Sequence, residues 1–348
     1  MGRRRRMRPR TRGRGGPLLG LTCALMVVAA LIIAYVAWTL RSWAVHPLPA
    51  AASEVVVTIP AGSSFRAVAT HLAAAGVVDH PRRLEWLARW RGVADRVRAG
   101  EYDLGGSRSP AALLDLLVAG RVKQYAFTVP EGLTCAEIGT RFAAAGFGTA
   151  TDFRAACSDP ALLARAGLAQ GDLEGYLFPE TYQWHRGMAA RALVERMLAA
   201  MKAVWTPQRS QAAEALGLTR HQALTLASII EKETGAAAER AMISGVFHNR
   251  LRRGMRLQSD PTVIYGVTPF DGNLTHTHLE TDTPYNTYTR AGLPPGPIAN
   301  PGLASIDAAL HPAETEAFYF VSRNDGSHQF SVTVDEHNRA VAQYQQRR

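Results

Sequence analysis

The stretch Leu226–Gly235, "LASIIEKETG", sets two glutamates and a lysine directly behind an apolar helical run. At ~100° per residue, Leu226, Ile229, Ile230 and Glu233 fall within one helical sector. Glu231 lies about 160° away, beside Leu224 and Ala227, and Lys232 shares a polar sector with Thr225 and Ser228. The two acids therefore do not form a carboxylate pair on this helix. A carboxyl held against aliphatic side chains is desolvated, so its pKa rises toward the value a general acid needs near neutrality. The plain alternative is an acid that caps the helix end or pairs with Arg240 or Arg250. The apolar sector favours Glu233, and both glutamates remain candidates at this point.

The elements that must position this helix show a repeat. Thr58–Val78, "TIPAGSSFRAVATHLAAAGVV", aligns without a gap with Thr128–Gly148, "TVPEGLTCAEIGTRFAAAGFG", at an offset of 70 residues. Each copy has a β-branched run, a Pro-x-Gly turn and a polar N-cap candidate. Apolar residues at helical spacing follow, Phe65, Val68 and Leu72 in one copy and Cys135, Ile138 and Phe142 in the other. Each copy reads as strand–turn–helix. The first, with helix expected over 82–92 and an extended segment over 99–105, resembles the LysM-like βααβ module. A packing unit without a ligand is the alternative.

From Leu193 the pattern is helical up to "ERAMISGVFHNRLRRGM". A stretch dense in Pro, Gly, Asn, Thr and Tyr follows, richest over Gln258–Asn300. Long irregular segments are uncommon in a compact domain unless functional. Two alternating strands around Asn324-Asp325-Gly326 predict a hairpin, and "EHNRAVAQYQQ" a closing helix.

The net charge of +10 is concentrated at one end: the first 14 residues hold eight arginines and no acid. A nucleic-acid partner is therefore not expected. Pro17–Leu40 is uncharged over 24 residues, enough at ~1.5 Å per residue to cross a bilayer. Arginines before it place the N-terminus in the cytoplasm, with Trp38 and Trp43 as interfacial aromatics. A cleaved signal peptide is the alternative. Cys135 and Cys157 are the cysteines beyond this helix; they could pair in an oxidising compartment, and spacing does not decide it.

"LASIIEKETG", "ERAMISGVFHNRLRRGMRLQSDPTVIYG", "TPYNTYTRAGLPPGPIANPG", "ALHPAETEAFYFVS" and "LEGYLFPETY" together resemble the signature segments of the endolytic murein transglycosylases (YceG-like), from about Val55 to the C-terminus. The resemblance implies that the second glutamate of E-K-E-T, here Glu233, is the catalytic acid/base. It further implies cleavage of the β-1,4 bond between N-acetylmuramic acid and N-acetylglucosamine in nascent peptidoglycan strands, without water, to give 1,6-anhydro ends. One carboxyl suffices there because the sugar supplies its own nucleophile, whereas glycoside hydrolysis ordinarily uses two. Proximity to peptidoglycan synthases is also implied.

Under that reading Gln258, Ser259 and Asp260 offer groups suited to sugar hydroxyls and acetamido groups, Asp260 being also a possible second acid. Tyr265, Tyr285 and Tyr288 offer flat faces for pyranose rings. Asn286 and Thr287 would orient the glutamate or the substrate. Each could instead only buttress the loop. Pro284, Pro294, Pro295 and Pro297 stiffen it, and Glu174 and Glu180 read as structural. His276-x-His278 lacks an indicated third ligand, so neither metal nor cofactor is expected. The absence of H-E-x-x-H, C-x-x-C, P-loop and S-x-x-K motifs removes the usual signs of those enzyme classes.

The expected architecture is α+β: a cytoplasmic Arg-rich tail (1–16), a transmembrane helix (17–40), a linker (41–54), a LysM-like module (55–125) and a mixed helical/β catalytic domain of lysozyme-like logic (126–348). The protein is expected in the inner membrane as a single-pass protein with its catalytic domain outside. The competing functions are a hydrolytic muramidase and a non-catalytic glycan-binding scaffold of the wall-synthesis machinery.

Overall fold

The repeat in the sequence is a repeat in the structure. In the computed structural model, described over residues 16–48, 55–106, 108–267 and 269–345, the chain forms two compact units divided between Lys123 and Gln124. The arginine-rich residues 1–15 and linker residues 49–54 lie outside the described residues.

The first unit begins with α1 (Gly16–Val45), which continues past Leu40. It is long and apolar enough to cross a membrane, with a mean hydropathy of 2.4 over its apolar window. Its C-terminal end is tied to the rest of the unit. Ala44 and Leu48 are buried in the core, and the Leu48 amide donates to the Arg108 carbonyl at 2.9 Å. Then come β1 (Val56–Ile59), α2 (Phe65–Ala74), α3 (Pro81–Trp90), β2 (Gly100–Asp103) and α4 (Pro110–Ala119). β1 and β2 pair antiparallel, Val56 opposite Asp103. Val57 and Ile59 point inward and their neighbours outward, the alternation that a one-sided ribbon requires.

The second unit opens on the other copy. β3 (Tyr125–Thr128), α5 (Cys135–Ala144), α6 (Ala150–Cys157), α7 (Pro160–Ala166) and β4 (Thr181–Trp184) follow in order, and β3 pairs antiparallel with β4. α2 and α5 correspond residue for residue at the offset seen in the sequence. Ser64 caps one and Thr134 the other through the same side-chain bond to the third amide. Phe65, Val68, Ala69 and Leu72 are buried in α2, and Cys135, Ile138, Gly139 and Phe142 in α5. Gly62 and Gly132 make the preceding turn at φ +75° and +76°, a conformation only glycine adopts without strain. Cys135 and Cys157 are buried, free thiols.

The helical part comprises α8 (Ala190–Val204), α9 (Pro207–Ala215), α10 (Arg220–Glu233), a 3-10 turn (Ala237–Glu239) and α11 (Arg240–Arg252). The Pro/Gly/Asn-rich segment carries two short helices, α12 (Asp260–Gly266) and α13 (His276–Glu280), before α14 (Leu303–Leu310). The hairpin of β5 (Tyr319–Ser322) and β6 (His328–Ser331) and the helix α15 (Val334–Tyr344) close the chain.

α10 is the axis of this unit. Every residue from Ala223 to Ile230 is buried, and Leu224, Leu226, Ile229 and Ile230 are fully so, each worth ~1.5–3 kcal/mol of transfer free energy. The sector of Thr225 and Ser228, polar in the sequence and shared with Lys232, is interior at those two residues. Their hydroxyls turn back on the helix, Thr225 Oγ1 donating to the His221 carbonyl at 2.8 Å and Ser228 Oγ to the Thr225 carbonyl at 2.7 Å. That satisfies them without solvent. Ser228 Oγ also accepts from the Ile298 amide at 3.0 Å, which lashes the proline-rich segment to the helix.

Candidate active site

α10 starts from a capping box, Thr219 with Gln222, and its last residue is Glu233. The two glutamates of "EKE" part company as the sector arithmetic requires. Glu231 Oε2 accepts from the Gly302 amide at 3.0 Å, at the N-terminus of α14, where the helix dipole favours an anion. Lys232 is exposed and its Nζ donates to the Gly132 carbonyl. Glu233 enters a cleft of about 440 Å³.

The cleft is built by five elements. α10 supplies Glu233, α11 supplies Arg250, and the proline-rich segment supplies Gln258, Asp260 and Tyr288. The C-terminal hairpin supplies Phe320, Ser322 and His328, and α15 supplies His337. Ser259 Oγ donates to Glu233 Oε1 at 2.5 Å. Ser259 is itself fixed, its amide donating to Thr287 Oγ1 at 3.0 Å and its carbonyl accepting from Thr262 Oγ1 at 2.6 Å. Gln258 takes a left-handed φ of +50°, unusual for a residue with a Cβ, which turns the chain so that Ser259 faces the glutamate. Asp260 Oδ1 accepts from Tyr288 OH at 2.6 Å.

Burial pushes the Glu233 carboxyl up to about 7, and the nearby Asp260 carboxylate pushes the same way. The Ser259 hydrogen bond and the Arg250 guanidinium oppose them. Such a group exists in both forms near neutrality, the requirement for a carboxyl that gives and then takes a proton.

Of the sequence candidates, Gln258, Ser259, Asp260 and Tyr288 gather around Glu233. Asn286 is buried, its side-chain amide donating to the carbonyls of His278, Leu279 and Thr281 while its Oδ1 accepts from the Tyr288 amide. It shapes the loop and places Tyr288. Thr287 is also buried and orients Ser259. Tyr265 and Tyr285 pack on each other, ring centroids 4.8 Å apart, and do not line the cleft. Glu174 is buried, accepts from the Cys135 amide and from Asn300 Nδ2 at 2.8 Å, and is raised to about 8 by burial. It ties the repeat unit to the end of the proline-rich segment. Glu180 is exposed.

The sequence reading missed the far wall. Arg250, considered only as a possible ion-pair partner, is a buried guanidinium that donates from Nε to the Phe318 carbonyl at 2.6 Å and from Nη1 to the Leu257 carbonyl at 2.7 Å. It holds the hairpin to the proline-rich segment. His328 Nδ1 donates to Glu239 Oε2 at 2.7 Å, and its amide donates to Glu239 Oε1 at 3.1 Å. One signal pointed there: Gly235, which closes "EKETG". A Cβ on Gly235 would sit 3.1 Å from the Gly326 carbonyl oxygen and 4.0 Å from His328 Cε1, so this glycine admits the hairpin tip against the end of α10.

Comparisons with known proteins agree with one another. A model of the YceG-like family matches residues 57–343. The chain is 33% identical over 309 residues to the endolytic murein transglycosylase of Bacillus subtilis (strain 168), covering 84% of this chain and 85% of that protein. It is 31% identical over 322 residues to the endolytic murein transglycosylase of Streptococcus pneumoniae serotype 2, covering 83% of this chain and 58% of that protein. Among solved structures, the crystal structure of a yceG-like protein from Listeria monocytogenes superposes with a TM-score of 0.58 at 31% identity, over 82% of this chain and 98% of that one.

Proposed function

Because this chain belongs to the YceG-like family, we propose that it is an endolytic murein transglycosylase, an enzyme that cuts nascent peptidoglycan strands internally at the β-1,4 bond between N-acetylmuramic acid and N-acetylglucosamine. The observation that carries this reading is the Glu233 carboxyl, held near neutrality at about 7 in the cleft and bound by Ser259. As the acid it protonates the departing glycosidic oxygen. As the carboxylate it then takes the proton from the muramoyl 6-hydroxyl while that oxygen bonds to C1, leaving a 1,6-anhydro end. Arg250 and the Ser259 hydrogen bond stabilise the carboxylate between the two steps. A carboxyl made weakly acidic by burial is also the logic of lysozyme.

Gln258 and Tyr288 line the cleft as groups for sugar hydroxyls and for a ring face. The strand–helix–helix–strand order of the first unit is that of a LysM-like module, and we assign it to glycan strands. α1 is assigned as a single-pass inner-membrane anchor with its N-terminus inside, which puts the cleft where peptidoglycan synthases work. Asp260 on the cleft wall is the second carboxylate that a hydrolytic muramidase would employ.

Mass spectrometry of digested glycan strands tests these readings together. Wild type should give 1,6-anhydro ends, and Glu233→Gln should lower cleavage by at least ~10³-fold while glycan is still bound. Reducing ends alone would favour the muramidase, and unchanged turnover in the variant would remove Glu233 from the mechanism.

A further inference from the structure

We propose that His328, fixed by Glu239, holds the muramoyl 6-hydroxyl and thereby decides whether the sugar closes on itself or is captured by water. The inference rests on the transglycosylase reading and adds a substrate contact to it. The carboxylate of Glu239 accepts from both the ring Nδ1 and the backbone amide of His328, so the neutral imidazole carries its hydrogen on Nδ1. Nε2 is then a lone-pair acceptor, and it has no hydrogen-bond partner among the described residues. The ring stands edge-on to Phe320, centroids 5.5 Å apart at 90°, and Gly235 seats the hairpin tip beside it. His328 therefore lines, in one orientation, the cleft that also holds Glu233.

That acceptor meets a need left by a single carboxyl. While Glu233 is protonated, one oxygen accepts from Ser259 and its own hydrogen is aimed at the glycosidic oxygen. It then offers little to the 6-hydroxyl. Asp260 Oδ1 is engaged by Tyr288, and its second oxygen is the competing acceptor that the Asp260→Asn variant tests. His328 Nε2 accepts the 6-hydroxyl hydrogen in this state and turns O6 toward C1. The proton of Glu233 then passes to the leaving O4 as the C1–O4 bond breaks. The resulting carboxylate is the stronger, charged acceptor. The hydroxyl hydrogen swings to it and transfers as the O6–C1 bond forms, so Glu233 ends protonated and His328 unchanged. Without this hold, water competes for C1 and leaves a reducing end.

The test is product partition in the full-length protein acting on purified glycan strands, with anhydro and reducing ends counted by mass spectrometry. His328→Ala should slow cleavage and lower the anhydro-to-reducing ratio at least ~10-fold, an energy difference of about 1.4 kcal/mol. His328→Gln, whose carbonyl oxygen can still accept, should recover part of the ratio. Glu239→Gln should lie between wild type and His328→Ala. A merely structural role would lower total turnover and leave the ratio alone, and that result overturns the inference, as does a shift caused by Asp260→Asn and not by His328→Ala. If the alanine variant melts early, His328→Gln and Glu239→Gln decide by the same ratio. Wild type yielding no anhydro ends would defeat the transglycosylase reading itself, whereas anhydro ends in wild type with an unmoved ratio in the variants defeats this inference alone.

Discussion

Glu233→Gln should stabilise the second unit at pH 8 and change it little at pH 5. The folded-state pKa of Glu233 lies at about 7, above the ordinary 4.5. The native state therefore holds this proton more tightly than the unfolded chain does. The resulting contribution is fully present below about 4.5 and is lost as the pH rises through about 7. At about 1.4 kcal/mol per unit, the difference amounts to about 3 kcal/mol at pH 8 and under about 1 kcal/mol at pH 5. Because the carboxyl keeps some access to solvent at the cleft mouth, about 3 is a ceiling. Glutamine loses no proton and carries no such penalty. In a unit of this size, ~2–4 °C per kcal/mol converts the gain into several degrees of melting temperature. The assay is thermal unfolding of the full-length wild type and variant in detergent at both pH values, followed by fluorescence, to which Trp184 and Trp205 report from this unit. Glu174, also raised by burial, is common to both proteins and cancels in the difference. Equal shifts at the two pH values would mean that folding leaves the Glu233 pKa unraised, and a loss of stability that grows from pH 5 to pH 8 would mean that the folded protein prefers the carboxylate; either result defeats the desolvation argument.

The wild-type kcat/KM should fall about tenfold per pH unit above about 7, as the acid form of Glu233 is lost; Ser259→Ala, by removing the hydrogen bond that favours the carboxylate, should move this limb to higher pH in a pH–rate profile. Asn300→Ala removes the acceptor of the Leu177 amide and a donor to Glu174, both buried, and should cost about 2–4 kcal/mol in a denaturant titration.

The parts of the fold with local causes were legible. Phe65, Val68 and Leu72 recur as Cys135, Ile138 and Phe142, and both helices formed as their spacing predicts. Asn324 and Gly326 fold the hairpin through their positive φ angles. The separation of Glu231 from Glu233 followed from 3.6 residues per turn alone. What was not legible depended on neighbours distant in sequence. Thr225 and Ser228 look solvent-facing by type and are both buried, the segment at Ile298 bonding to Ser228. The far wall of the cleft comes from a hairpin about a hundred residues after the glutamate, and a histidine's partner, here Glu239, has no sequence signature when 89 residues separate them. Asn286 and Thr287, read as residues that orient the glutamate or the substrate, are buried; Thr287 holds Ser259, which bonds Glu233, and Asn286 holds the loop around Tyr288.

The two glycine turns at Gly62 and Gly132 share a backbone and differ in company. A Cβ at Gly62 would meet nothing within 4 Å, whereas at Gly132 it would touch the Glu231 side chain at 3.4 Å, and Lys232 donates to the carbonyl there. One copy keeps a vacant corner; the other is the footing of the helix that carries Glu233. Grafting the later corner's residues onto the earlier one would therefore be tolerated, while the reverse exchange would undermine the enzyme.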